Sequence, residues 1–197
     1  MNRVFVLSPA NCNGVRAQWL LRKDSRSDLA QRLRNGGAPL GEVFSFLSAL
    51  YFRGKLAYAR EFARPPPNCP GIFIITPSTG LVAHDSLIRP RNLRRFAAVP
   101  IHIDNQVYCS ALRRSAEKLA SVVGADCKVV LLGSVASRKY LHILSPIFGI
   151  RLVLPAEFVG LGDMSRGGLL LRSVRENREL DYVPSVVSHA VGTLSGG

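Results

Sequence analysis

Acidic side chains are scarce in this chain: 13 Asp and Glu stand against 26 Lys and Arg among 197 residues, a formal charge of +13 with a pI near 10.5. Such an excess points to a polyanion whose counterions are released on contact rather than to a merely basic enzyme surface. An anionic membrane is the other class of partner. A strongly amphipathic Lys-rich helix and a lipidation motif are both missing, which removes the membrane reading. No apolar run reaches the length of a transmembrane helix, and Val4 to Leu7 is too short for the core of a signal peptide, so a cytoplasmic protein is expected. Cys12, Cys69, Cys109 and Cys127 contain no C-x-x-C spacing and read as reduced thiols. His84, His102, His142 and His189 also lack ligand spacing. A zinc or iron-sulfur site is therefore not expected, and no cofactor is called for. The G-x-S-x-G elbow, the P-loop and a complete dinucleotide fingerprint are absent too. Serine hydrolysis, phosphoryl transfer and hydride transfer lose their usual signatures.

What is present fits one domain over residues 1–184, followed by a flexible tail over 185–197 that ends Ser195-Gly196-Gly197. Four apolar, β-branched runs, Arg3 to Ser8, Gly71 to Thr76, Lys128 to Gly133 and Arg151 to Pro155, lack polar alternation, as strands covered on both faces do. Helical spacing links Leu40, Val43, Phe44, Leu47, Leu50 and Tyr51 and continues to Phe62, before Pro65-Pro66-Pro67. Further helices are predicted from about Tyr108 to Val123, Ser137 to Leu144, and Asp163 or Ser165 to Arg175; Asp24 to Gly37 reads as a short helix and turn. Strands alternating with helices predict a three-layer α/β/α fold around a mostly parallel sheet of about four strands. Ligands in such folds bind at the carboxyl ends of the strands.

Four loops follow those strand ends, and all are rich in Ser, Asn, Gly and small polar residues. Any one of them is ordinary turn chemistry; together at one sheet edge they make a site. They nominate Ser8, Pro9, Thr79, Ser134, Glu157 and Phe158 for binding a substrate base, with Phe158 the stacking residue and Tyr51 and Phe52 assigned to the core. Asn11 and Asp163 are the catalytic candidates, because an amide or carboxylate there can orient a water or stabilise positive charge on a sugar. The competing role for Asp163 is helix capping, and for Asn11 a turn. Arg138, Lys139, Ser165 and Arg166, at predicted helix starts, are assigned to phosphate contacts. Arg89, Arg91, Arg94 and Arg95 form another basic cluster, and Arg172, Arg175 and Arg178 a third, which is as readily a solvated face. No lysine stands out as a Schiff-base nucleophile; Lys139 is better explained by phosphate binding.

Two families resemble this chain. Leu7-Ser8-Pro9-Ala10, Thr79-Gly80-Leu81-Val82 with Asp85 and Pro90, and Met164-Ser165-Arg166 are similar, in order, to motifs of the YaaA peroxide-stress family of DNA-binding proteins. Val129 to Ala136 resembles the strand-and-turn segment of the uracil-DNA glycosylase superfamily. The second resemblance implies a glycosylase-like fold, with Asn11 as the water-activating residue and Pro155 to Arg166 as the loop that wedges into DNA. The aromatic expected after Ser8-Pro9 and the wedge His are not found, which speaks against unmodified uracil. Small residues at Asn11 to Gly14 and Gly160 to Gly168 leave space for a larger base, such as glucosylated 5-hydroxymethylcytosine of phage DNA. The leading expectation is thus a monofunctional DNA glycosylase acting in phage defence or repair on double-stranded DNA with modified bases, without a membrane or an obligate protein partner. A non-catalytic DNA-binding stress protein is the alternative, and a nucleoside-processing enzyme a third.

Overall fold

Residues 1–133 and 138–185 are described by a computed structural model. Strand β1 (Arg3–Leu7) lies within the sheet, and Val4 to Leu7 are wholly buried. Its side chains divide by parity: Phe5 and Leu7 enter one core, Val4 and Val6 the other. That two-sided burial is why the run carries no polar alternation. The chain continues through α1 (Val15–Leu21), α2 (Asp28–Asn35), β2 (Ala38–Pro39) and α3 (Leu40–Phe62). It then forms β3 (Ile72–Thr76), β4 (Gly80–Ala83), β5 (Leu87–Ile88), α4 (Pro90–Ala97) and α5 (Gln106–Val123). The last elements are β6 (Lys128–Leu132), α6 (Arg138–Phe148), β7 (Leu152–Pro155), α7 (Asp163–Arg175) and β8 (Tyr182–Pro184).

The main sheet has the order β4-β3-β1-β6-β7-β8, with β2 and β5 paired separately. Its four middle strands are parallel and are the four read from the sequence. Both edges are antiparallel, so the sheet has six strands rather than about four. The edge strands escaped notice because β4 and β8 are only four and three residues long and largely half-buried, too short for a strand period to show. Helices α3 and α7 cover one face and α5 and α6 the other, giving three layers.

Local chemistry accounts for the element ends. Ser27 Oγ accepts from the Ala30 amide to cap α2, and Asn105 Oδ1 accepts from Val107 and Tyr108 to cap α5. α3 spans the predicted limits and stops ahead of the proline run. α6 runs a turn beyond its expected end, through Pro146. Among the described residues no helix is long and apolar enough to cross a membrane. The four cysteines are unpaired.

Candidate functional site

From β1 the chain crosses to β3 on one side and β6 pairs on the other, so a crevice opens at their carboxyl ends. Ser8 stands at its floor. Its amide donates to the Leu132 carbonyl at 3.0 Å, continuing the β1–β6 pairing by one residue. Gly133 makes this approach feasible, since a Cβ there would lie 3.1 Å from the Ser8 Cβ. From below, Lys55 on α3 donates Nζ hydrogen bonds to the Ser8 carbonyl at 2.7 Å and to Ser8 Oγ at 2.8 Å.

A cleft of about 350 Å³ rises from this floor, within the usual size of small-ligand sites. Ser8, Pro9 and Asn11 come from the β1 loop, Ser48, Tyr51 and Lys55 from α3, Lys139 and Tyr140 from α6, and Asp163 from α7. A second cleft of about 310 Å³ shares Pro9, Asn11, Lys139 and Tyr140 as a common wall. It extends towards Pro77 and towards Phe96, Val99 and Ile101 at and beyond the end of α4. Asn13 ties the two regions together by donating Nδ2 to the Ala97 carbonyl at 2.9 Å. Arg89, Arg91, Arg94 and Arg95 are exposed on and just before α4, which puts positive charge on the element that borders this second cleft.

No family model, no curated protein and no solved structure matches this chain.

Asn11 is exposed at the cleft and its Oδ1 accepts from the Asn13 amide at 2.9 Å, so it holds the turn and faces the site at once. Asp163 is the first residue of α7. The residue at the capping position is Gly162, and no side chain caps this helix, which corrects the capping assignment of Asp163. The Asp163 carboxylate is 66% exposed and 3.4 Å from Arg166 Nη1. Lys139 lines both clefts, with Nζ 5.5 Å from the centre of the Tyr140 ring. Ser165 is exposed in the first turn of α7.

Other assignments are corrected. Phe158 is wholly buried in the core, with its ring against the Arg166 guanidinium, and cannot stack on an incoming base. Arg166 is 7% exposed and donates Nε and Nη2 to the Phe158 carbonyl, so it braces the β7–α7 loop instead of meeting phosphate. Thr79 is exposed in the β3–β4 turn and Glu157 is half-buried; neither lines the two clefts. Ser134 and the side chain of Arg138 lie outside the described residues, as do residues 186–197 of the expected tail.

Lys55 and Tyr51 were missed as site residues. They read as part of an apolar helical stripe, and only the bend of the β1 loop over α3 turns that stripe into a cleft wall. Lys55 is 1% exposed, with the Tyr51 and Phe52 rings 4.6 and 4.8 Å from Nζ. Burial pulls its amine down to about 7, opposed weakly by the Asp163 carboxylate. Burial likewise pushes the Tyr51 hydroxyl up to about 12, with the nearby Arg166 guanidinium pulling the other way, and among the described residues no well-formed hydrogen bond ends on that oxygen. Among the described residues no group of three His, Cys, Asp or Glu is placed to hold a metal. The arrangement offers a carboxylate, an amide, a buried amine and a phenol around one small cleft, with the Lys139 cation beside them.

Proposed function

We propose that this chain is a DNA glycosylase that flips a modified base out of the duplex and hydrolyses its bond to C1′, leaving an abasic site. The observation that carries the reading is the convergence of Asn11 and Asp163 on a base-sized cleft at the sheet's crossover, bordered by Lys139. In this reading Lys139 meets the phosphate backbone, which positions the duplex without reading its sequence. Asn11 orients the attacking water, and the Asp163 anion stabilises the oxocarbenium-like sugar as the glycosidic bond breaks.

Two further features support base flipping. The loop before Asp163 carries Val159, 57% exposed, and Met164 follows it at 67% exposed. Apolar tips of this kind fill the gap that an extruded nucleotide leaves in the stack. The second cleft, which adjoins the first across Pro9 and Asn11, is where a bulky substituent on the base would extend. The resemblance of Val129 to Ala136 to the uracil-DNA glycosylase superfamily points the same way. Glucosylated 5-hydroxymethylcytosine is the base of that kind we favour.

Purified protein incubated with duplexes bearing glucosylated or plain 5-hydroxymethylcytosine is expected to release free base and leave alkali-labile sites. Tight, salt-sensitive DNA binding without base release from any modified duplex would instead leave a non-catalytic binding protein of the YaaA type.

A further inference from the structure

We propose that Lys55 is a Schiff-base nucleophile, whose ε-amine condenses with the C1′ aldehyde of an abasic deoxyribose seated in the cleft and so adds a strand-cleaving step. The aldehyde is the product of the reaction proposed above, so for DNA the inference rests on that reading; the amine chemistry itself stands on the geometry around Lys55.

A buried lysine that serves only the fold is ordinarily held by a carboxylate. None of the ion pairs among the described residues involves Lys55. Its two hydrogen bonds both end on Ser8, one on the carbonyl and one on Oγ. A neutral amine has two N–H groups, so with both given to these acceptors its lone pair is left over, and among the described residues Ser8 is the only hydrogen-bond partner of Nζ. Burial suits the neutral form, since the charge would be poorly solvated, and it outweighs the ring faces of Tyr51 and Phe52, which attract the ammonium. Burial in fact lowers this amine to about 7, leaving a large neutral fraction near pH 7. The amine nonetheless lies in the cleft wall, beside the ring of Tyr51.

The chemistry balances with these groups. The Nζ lone pair forms a bond to C1′ while the carbonyl pair moves to oxygen, which takes a proton from the nitrogen. That hydroxyl leaves as water with a proton taken from solvent in the cleft, and an iminium remains. Loss of a C2′ proton to the Asp163 carboxylate frees an electron pair that expels the 3′-phosphate. Water then hydrolyses the iminium and returns the free amine.

The test uses the full chain and a duplex with a preformed abasic site, which bypasses base release. Treatment with sodium borohydride is expected to reduce the imine to a stable protein–DNA adduct, and peptide mapping to place it on Lys55. Lys55→Arg keeps donors for Ser8 but has no nucleophilic amine, and its adduct is expected to fall to background while duplex binding is kept. Failure of wild-type protein to trap, or an adduct mapped to Lys139 or the terminal amine, overturns the proposal. If Lys55→Arg does not fold, the wild-type map alone decides. Base release without trapping sinks this inference and spares the glycosylase reading; trapping without base release does the reverse.

Discussion

Asp163 carries the sharpest contrast at the scale of single residues. It stands at the first position of α7, where its charge favours the helix dipole and pairs with Arg166, yet it caps nothing. Asp163→Asn is therefore expected to lose no more than about 0.3–1 kcal/mol of stability, the range of a surface charge at a helix N-terminus. Base release should nevertheless fall by about 100-fold or more, as when a preorganised electrostatic partner of the transition state is removed. Single-turnover excision beside thermal melting checks both halves, and wild-type excision would remove Asp163 from the chemistry. Asn11→Ala is expected to keep duplex binding and lose excision; because Asn11 also holds the Asn13 amide, about 1 kcal/mol of stability goes with it. Excision at the wild-type rate in that variant would leave Asn11 as a turn residue only. Lys55 adds a pH signature. Its folded-state value near 7 lies below the unfolded lysine value, so above pH 7 the unfolded chain binds more protons and stability rises with pH, by at most about 1.4 kcal/mol per pH unit. Ser8 and Asp163 are the groups that face it and hold its charge, and neither reverses this sign. Denaturant melts at pH 7 and 9 should show that rise in wild type and not in Lys55→Met; equal slopes would mean that the amine stays charged in the fold.

Among the elements, α3 and α7 form the closest helix contact, and glycines make it feasible. A Cβ on Gly54 would lie 2.8 Å from the Gly167 carbonyl oxygen, and one on Gly167 would lie 3.0 Å from the Tyr51 Cα. Backbone cannot yield cheaply there, so Gly54→Ala is expected to cost about 1–3 kcal/mol. Because the displaced helix carries Asp163, excision should drop by more than stability alone explains. A melting temperature equal to wild type would show that the pair is not under packing pressure. These contacts also mark what the sequence could and could not tell. The four parallel strands, α3 and α7 were legible because continuous apolar runs and helical spacing report burial directly. Asn11, Lys139 and Asp163 could be placed near one another from the sequence because strand-end loops gather at one edge, where the three line one cleft. Phe158 and Arg166 were misjudged for one reason: a loop of small and polar residues reads as exposed, whereas this one folds back and uses its aromatic ring and guanidinium as its own core. Lys55 was hidden by the opposite effect, a polar group on an apolar stripe whose partner lies 47 residues away in the chain.

For the whole molecule, the charge of +13 is expected to govern association. If about six phosphates are neutralised, affinity for duplex DNA falls by roughly three orders of magnitude between about 50 and 200 mM salt. Lys139→Glu and paired reversals at Arg91 and Arg94 should flatten that dependence and weaken all sequences alike. Affinity indifferent to salt would mean that the basic surface has another purpose.

The central strand carries a cost in time. Arg3 pairs with Lys128 and Leu7 with Leu132, so β1 finds one of its two neighbours only after most of the chain exists. At ribosomal speeds of about 5–20 residues per second, that wait is on the order of ten seconds. Through it Val4, Phe5, Val6 and Leu7 remain an unzipped apolar ribbon with a free edge, the kind of segment that chaperones hold and that aggregates when they do not.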